Sequence, residues 1–106
     1  MKEFNARQVH DYLQDPAHTP FLLDVREEWE FDRCNIDGSV LIPMGQIPGQ
    51  LDKLDPDRET VVICHHGIRS RQICRFLESQ GFSNLINLSG GVEEWAREVD
   101  NHMATY

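Results

Sequence analysis

Cysteine pairs are missing from this chain of 106 residues: Cys34, Cys64 and Cys74 are odd in number, and no two stand in a Cys-x-x-Cys spacing. That excludes a disulfide framework and a zinc ribbon, and it suits a reducing compartment in which one thiol reacts while the others pack. Long apolar runs are absent too; the longest holds about five residues, where a membrane span needs about 20. The opening Met1-Lys2-Glu3-Phe4-Asn5 lacks a signal peptide's apolar region, so the expectation is a cytoplasmic protein with no membrane partner. Positive charge is scarce, because 10 Lys and Arg against 18 Asp and Glu leave a formal net charge of −8. Nucleic acid and anionic membrane surfaces both require a basic footprint, and both are excluded as partners. Acidic residues crowd 24–37, 52–59 and 93–100; they read as solubilising surface, or alternatively as steering toward a basic partner protein.

What is present is an alternation of short apolar strands with helical patterns. Phe4 ends a first strand, Asn5 caps a helix with Val9, Tyr12 and Leu13 on one face, and Asp15-Pro16 stops it. A buried strand follows over 21–25, then a short helical segment over 27–33 with Trp29 and Phe31 assigned to the core. A third strand at 40–42 is closed by Pro43, a short helix limited by Pro48 spans 46–51, and Asp55-Pro56-Asp57 forms a turn. Near the end come a strand at 85–88, the turn Ser89-Gly90-Gly91 and a helix to about residue 98. That glycine turn lacks the Lys-Ser/Thr of a phosphate loop. Residues 101–106 read as a mobile tail offering Met103 and Tyr106 to a partner. The predicted fold is a single α/β domain over 1–106, a mostly parallel sheet of about five strands with helices on both faces.

The most informative stretch is Thr60-Val61-Val62-Ile63-Cys64-His65-His66-Gly67-Ile68-Arg69-Ser70-Arg71. The β-branched run predicts a strand buried on both faces, and Ile73, Cys74 and Leu77 recur at helical spacing until Gly81. Between strand and helix lies a short turn that Gly67 allows to fold tightly, so that consecutive backbone N–H groups converge as an anion-binding nest at a positive helix end. A thiol at its mouth gains a stabilised thiolate, which makes Cys64 the candidate nucleophile. The competing reading of Cys64 is a small hydrophobe at the end of a core strand.

Cys-x-x-Gly-x-Arg-Ser after an apolar strand resembles the active-site loop of the rhodanese (sulfurtransferase) family. Three further segments resemble that family in the same order. Leu22-Leu23-Asp24-Val25-Arg26 matches its Asp-Val-Arg segment, and Ile36-Asp37-Gly38-Ser39-Val40-Leu41-Ile42-Pro43 its Ile-Pro-Gly-Ala and Ile-Pro segment. Gly81-Phe82 and Gly90-Gly91-Val92-Glu93-Glu94-Trp95 match its closing motifs, so the resemblance covers about residues 4 to 97.

The resemblance implies a sulfurtransferase working by double displacement. Cys64 takes a sulfane sulfur from a small-molecule donor such as thiosulfate or a persulfide, then passes it to a thiol or cyanide acceptor or into a sulfur-relay protein. The N–H groups of His65, His66, Gly67, Ile68 and Arg69 would cradle the terminal sulfur by fixed electrostatics, and Ser70 would cap the helix. His65 and His66 would shape the entrance and contact the donor; a metal site with Cys64 or a base role is the rival reading. Arg69 pairs with an acid such as Asp24 or Glu30 or draws an anionic donor, and Arg71 is left open between the same roles. No metal, nucleotide or flavin cofactor is implied.

Cys74 is expected to pack, whereas Cys34-Asn35 departs from the family's Gly-His and leaves the role of Cys34 open, with exposure and exchange with Cys64 as the minor alternative. Two rival functions remain. One is a weakly catalytic sulfur-carrier or binding module fed by a partner protein. The other, a cysteine-dependent phosphatase or arsenate reductase, has five residues between its Cys and Arg, where here His65, His66, Gly67 and Ile68 stand between Cys64 and Arg69.

Overall fold

The computed structural model describes residues 1–106. Five parallel strands form one sheet: β1 (Lys2–Phe4), β2 (Phe21–Asp24), β3 (Val40–Leu41), β4 (Thr60–Ile63) and β5 (Leu85–Leu88), in the order β1-β5-β4-β2-β3. Four helices accompany them: α1 (Ala6–Gln14), α2 (Glu28–Arg33), α3 (Ile68–Ser79) and α4 (Gly91–Glu98). A 3-10 segment, Met44–Lys53, stands where a short helix was expected; Pro48 lies within it, and the break falls at Gln50, which leaves helical geometry at φ −126°.

Alternation along the strands builds two cores. Val61 and Ile63 of β4 and Ile86 and Leu88 of β5 face Val9 of α1 and Val92 and Trp95 of α4. Val62, Cys64, Leu23, Val25 and Leu85 face the other way, toward Ile73, Cys74 and Leu77 of α3 and Ile47 of the 3-10 segment. Every residue of β4 is buried, as its unbroken apolar run requires. The chain leaves β4 into α3 on one face, while the connection after β2 carries Cys34 and Ile36 into the core on the other. Cys64 follows β4 at the carboxyl ends of the strands, the usual place for a ligand in an open parallel sheet.

Asn5 caps α1 as expected: its side chain accepts from the Gln8 N–H at 2.8 Å, and Gln8 Oε1 accepts from the Asn5 N–H at 2.8 Å. Two expectations need correction. Trp29, assigned to the core, is 62% exposed, because the six-residue α2 turns Glu30 inward instead. Residues 101–106, read as a tail, run back over the domain, with Met103 and Tyr106 packed against the core beneath α1 and α4.

Candidate functional site

Cys64 follows the last residue of β4, and strand alternation turns its side chain to the α3 side, where it is only 1% exposed. Gly67 sits at φ +91°, which folds the chain back so that its own N–H donates to Cys64 Sγ at 3.0 Å. The Ser70 N–H donates to the same sulfur at 3.3 Å, and the Ser70 hydroxyl lies 3.2 Å from it. That hydroxyl accepts from a thiol and donates to a thiolate. Ser70 is thus a sulfur contact in the first turn of α3; the cap position belongs to Gly67, whose left-handed backbone starts the helix earlier than expected.

The loop is held by its carbonyls. Cys64 O accepts from the Val92 N–H at 3.0 Å and His65 O from the Glu93 N–H at 3.1 Å, so the amino end of α4 binds the outer side of the turn. Gly91 permits this approach, since a Cβ there would run into the His65 carbonyl, and one on Gly67 would run into that of Ser89. With the carbonyls engaged, the N–H groups of His66, Ile68 and Arg69 have no acceptor in the chain. Gly67 O accepts from Nδ2 of the fully buried Asn87, which also donates to Glu3 at 2.8 Å. Glu3 binds Arg71 at 2.7 Å, so the Arg71 left open by the sequence is a brace between β1 and α3. Arg71 and Asn87 hold the Glu3 carboxyl below the usual range even though partial burial pushes the other way.

Arg69 pairs with Glu30 through two hydrogen bonds of 2.7 and 2.8 Å, a fork that ties the start of α3 to α2. Asp24, the other expected partner, binds Arg26 instead at 2.8 Å, and both are fully buried. The Arg26 guanidinium also reaches Cys34 O at 2.6 Å and Tyr106 Oη at 2.8 Å. Burial opposes its charge, but Asp24 and Tyr106 outweigh that and keep it firmly protonated. Arg69 is the main reason that the Glu30 carboxyl is pushed down to about 2; the Glu27 N–H and the Tyr106 hydroxyl, which donates at 2.8 Å, add to it.

His65 and His66 stack face to face at the entrance, and His65 Nε2 lies 3.1 Å from Glu93. On its other side His65 stacks on Tyr106 with ring centroids 3.9 Å apart. Burial, together with the hydrogen bond to Glu30, pushes the Tyr106 hydroxyl up to about 12. Cys74 packs beneath α3 as expected, its thiol pushed up to about 12 by burial. Cys34 is buried against Arg26 in the core on the opposite face from Cys64, which removes it as an exposed exchange partner.

The structure therefore brings together Cys64, His65, His66, Gly67, Ile68, Arg69 and Ser70. It adds Arg26, Glu30, Asn87, Glu93 and Tyr106, which the sequence reading did not place in the site. Only Glu30 carried a usable signal, as one of the acids offered to Arg69.

The chain is an α/β protein whose parallel sheet carries a cysteine into an amide-lined turn ahead of a helix. The chain belongs to the rhodanese-like family: the model of the rhodanese-like domain matches residues 5–98. It is 42% identical over 99 residues to the putative sulfurtransferase YtwF of Bacillus subtilis, covering 93% of this chain and 94% of that protein. It is also 35% identical over 79 residues to the putative sulfur carrier protein YrkF of the same organism, covering 74% of this chain and 43% of that one. Some other relatives are longer still, and the chain spans 23% to 38% of their length. A crystal structure of a rhodanese-like domain protein from Staphylococcus aureus superposes with a TM-score of 0.85 at 27% identity, over 93% of this chain and 95% of that one. The five-stranded parallel fold expected from the sequence is thereby borne out.

Proposed function

We propose that this protein transfers a sulfane sulfur through a persulfide on Cys64. The observation that carries the reading is the convergence of two backbone N–H groups and one hydroxyl on a single buried sulfur. Donors fixed in this way stabilise charge that develops on the sulfur during transfer and need no reorganisation. In the first step the Cys64 thiolate attacks the outer sulfur of the donor; a new S–S bond forms, the donor's S–S bond breaks, and its electron pair leaves with the remaining fragment, sulfite in the case of thiosulfate. The terminal sulfur of the persulfide then carries the charge, and the unpaired N–H groups of His66, Ile68 and Arg69 are its natural donors. An acceptor thiolate or cyanide then attacks that outer sulfur; its bond to the sulfur forms, the S–S bond to Cys64 breaks, and Cys64 leaves with the electron pair as a thiolate.

Arg69 is committed to Glu30 and acts by placing the loop. A thiolate that must stay reduced between turnovers fits a reducing compartment such as the cytoplasm.

Intact mass before and after incubation with thiosulfate or cysteine persulfide, beside Cys64→Ser, tests the reading. The expected result is a gain of one sulfur in the wild type, removed by cyanide as thiocyanate and absent from the variant. Sulfur gained equally by Cys64→Ser overturns it.

A further inference from the structure

A ridge of four rings runs from the Cys64 loop to α2. His66 stacks on His65 with centroids 3.9 Å apart, His65 stacks on Tyr106 at 3.9 Å, and Tyr106 meets Trp29 edge-on at 5.5 Å. Trp29 and Ile68 are each 62% exposed, and each is the sequence neighbour of one partner in the Glu30–Arg69 ion pair, which places them on the two helices that this pair joins. Large apolar side chains standing in water beside a sulfur that is itself 1% exposed contribute nothing to the capture of a small ion. They are what the centre of a protein interface contains.

The charges around the ridge point the same way. Glu27, Glu28 and Asp32 are exposed around Trp29 on α2. Both arginines beside the loop are already paired, Arg69 with Glu30 and Arg71 with Glu3, while Arg33, the exposed cation on α2, reaches across to Thr105 O. A dianion such as thiosulfate meets carboxylates here and no uncommitted arginine at the loop. A basic polypeptide meets a complementary field.

We propose that this ridge is the docking surface for a sulfur donor that is itself a protein, one that presents a cysteine persulfide on a basic surface. The proposal rests on the reading of Cys64 as the sulfur carrier. Cys64 thiolate attacks the outer sulfur of the donor persulfide; the Cys64 S–S bond forms, the donor's S–S bond breaks, and its inner sulfur leaves with the electron pair as a thiolate. The sulfane sulfur moves without net oxidation, so no co-reactant is required.

Synthetic peptides test this. Loading of Cys64 is followed by intact mass with four donors: a cysteine-persulfide peptide flanked by lysines and leucine, the same peptide with glutamates for lysines, free cysteine persulfide, and thiosulfate. The lysine peptide is expected to load at least about tenfold faster than the glutamate peptide at low salt, with most of that lead lost at about 0.5 M NaCl, where the screening length is under about 5 Å. Trp29→Ala is expected to slow the lysine peptide about tenfold and leave free cysteine persulfide unchanged. Glu28→Lys with Asp32→Lys, both on the exposed face of α2, should reverse the peptide order even if Trp29→Ala folds poorly. Equal peptide rates, or thiosulfate loading fastest, overturn the docking surface alone. Failure of every donor to load Cys64 overturns the carrier reading and this proposal with it.

Discussion

At Cys64 the smallest groups do the most. The Ser70 hydroxyl touches the sulfur at 3.2 Å and is completely buried. Hydrogen bonds to a charged partner contribute about 1.5–3 kcal/mol, so Ser70→Ala is expected to slow persulfide formation by roughly 10- to 100-fold. The two backbone donors survive the change, which leaves the fold intact. Single-turnover loading followed by mass checks this, and a rate equal to wild type would mean that the amides alone stabilise the sulfur. Gly67 behaves differently because its side of the backbone has no room: φ is +91° and an added Cβ meets the Ser89 carbonyl. Gly67→Ala is expected to cost about 3 kcal/mol or more, read as a lowered urea midpoint, since strain at a positive φ adds to a backbone collision. A midpoint within error of wild type would show that the loop can move away from β5, contrary to the packing described.

Between elements, the Glu30–Arg69 fork joins α2 to α3 across the mouth. The Glu30 carboxyl falls from its ordinary 4.5 to about 2 on folding, chiefly through Arg69. A depressed carboxyl contributes stability that is fully present above 4.5 and is lost as the pH falls through that value toward about 2. The wild type should therefore lose on the order of 2 kcal/mol across that window from this group, and Glu30→Gln, already weaker at pH 7, should show a shallower decline. Parallel acid profiles for the two proteins would sink the assignment.

How much of this arrangement was legible depends on the range of the forces involved. The strands at 60–63 and 85–88 and the cysteine loop follow from local β-branching, helical spacing and one glycine. Trp29 was misplaced because a large apolar side chain on a six-residue helix has no periodicity to read, and its neighbour Glu30 is drawn inward by a residue 39 positions away. Ser70 was taken for a cap because Ser is a good one; the tight loop ended three residues earlier than that reading allowed. Arg26, in a segment the family shares, gave no hint that it would be fully buried.

At the scale of the molecule, Tyr106 closes the chain back onto the site from 76 residues beyond Glu30. Its hydroxyl takes a hydrogen bond from the buried Arg26 and gives one to Glu30, while its ring lies between His65 and Trp29. One side chain thus links the interior arginine, the α2–α3 ion pair and the entrance of the cysteine loop. Tyr106→Phe keeps the ring and strips the hydroxyl, leaving Arg26 and Glu30 each short of one partner; Tyr106→Ala removes both. Losing a buried hydrogen bond to charged groups costs about 1–3 kcal/mol, and losing the ring's packing adds to that. Amide exchange at 28–34 and 65–70 is therefore expected to quicken at least about tenfold in Tyr106→Phe and further in Tyr106→Ala, because local opening is governed by these local contacts. Amides of β4 and β5, whose protection comes from the sheet, should hold their rates. A uniform rise through the whole domain would show that Tyr106 supports global stability alone, and no rise at all would show that α2 and the loop are fixed without it.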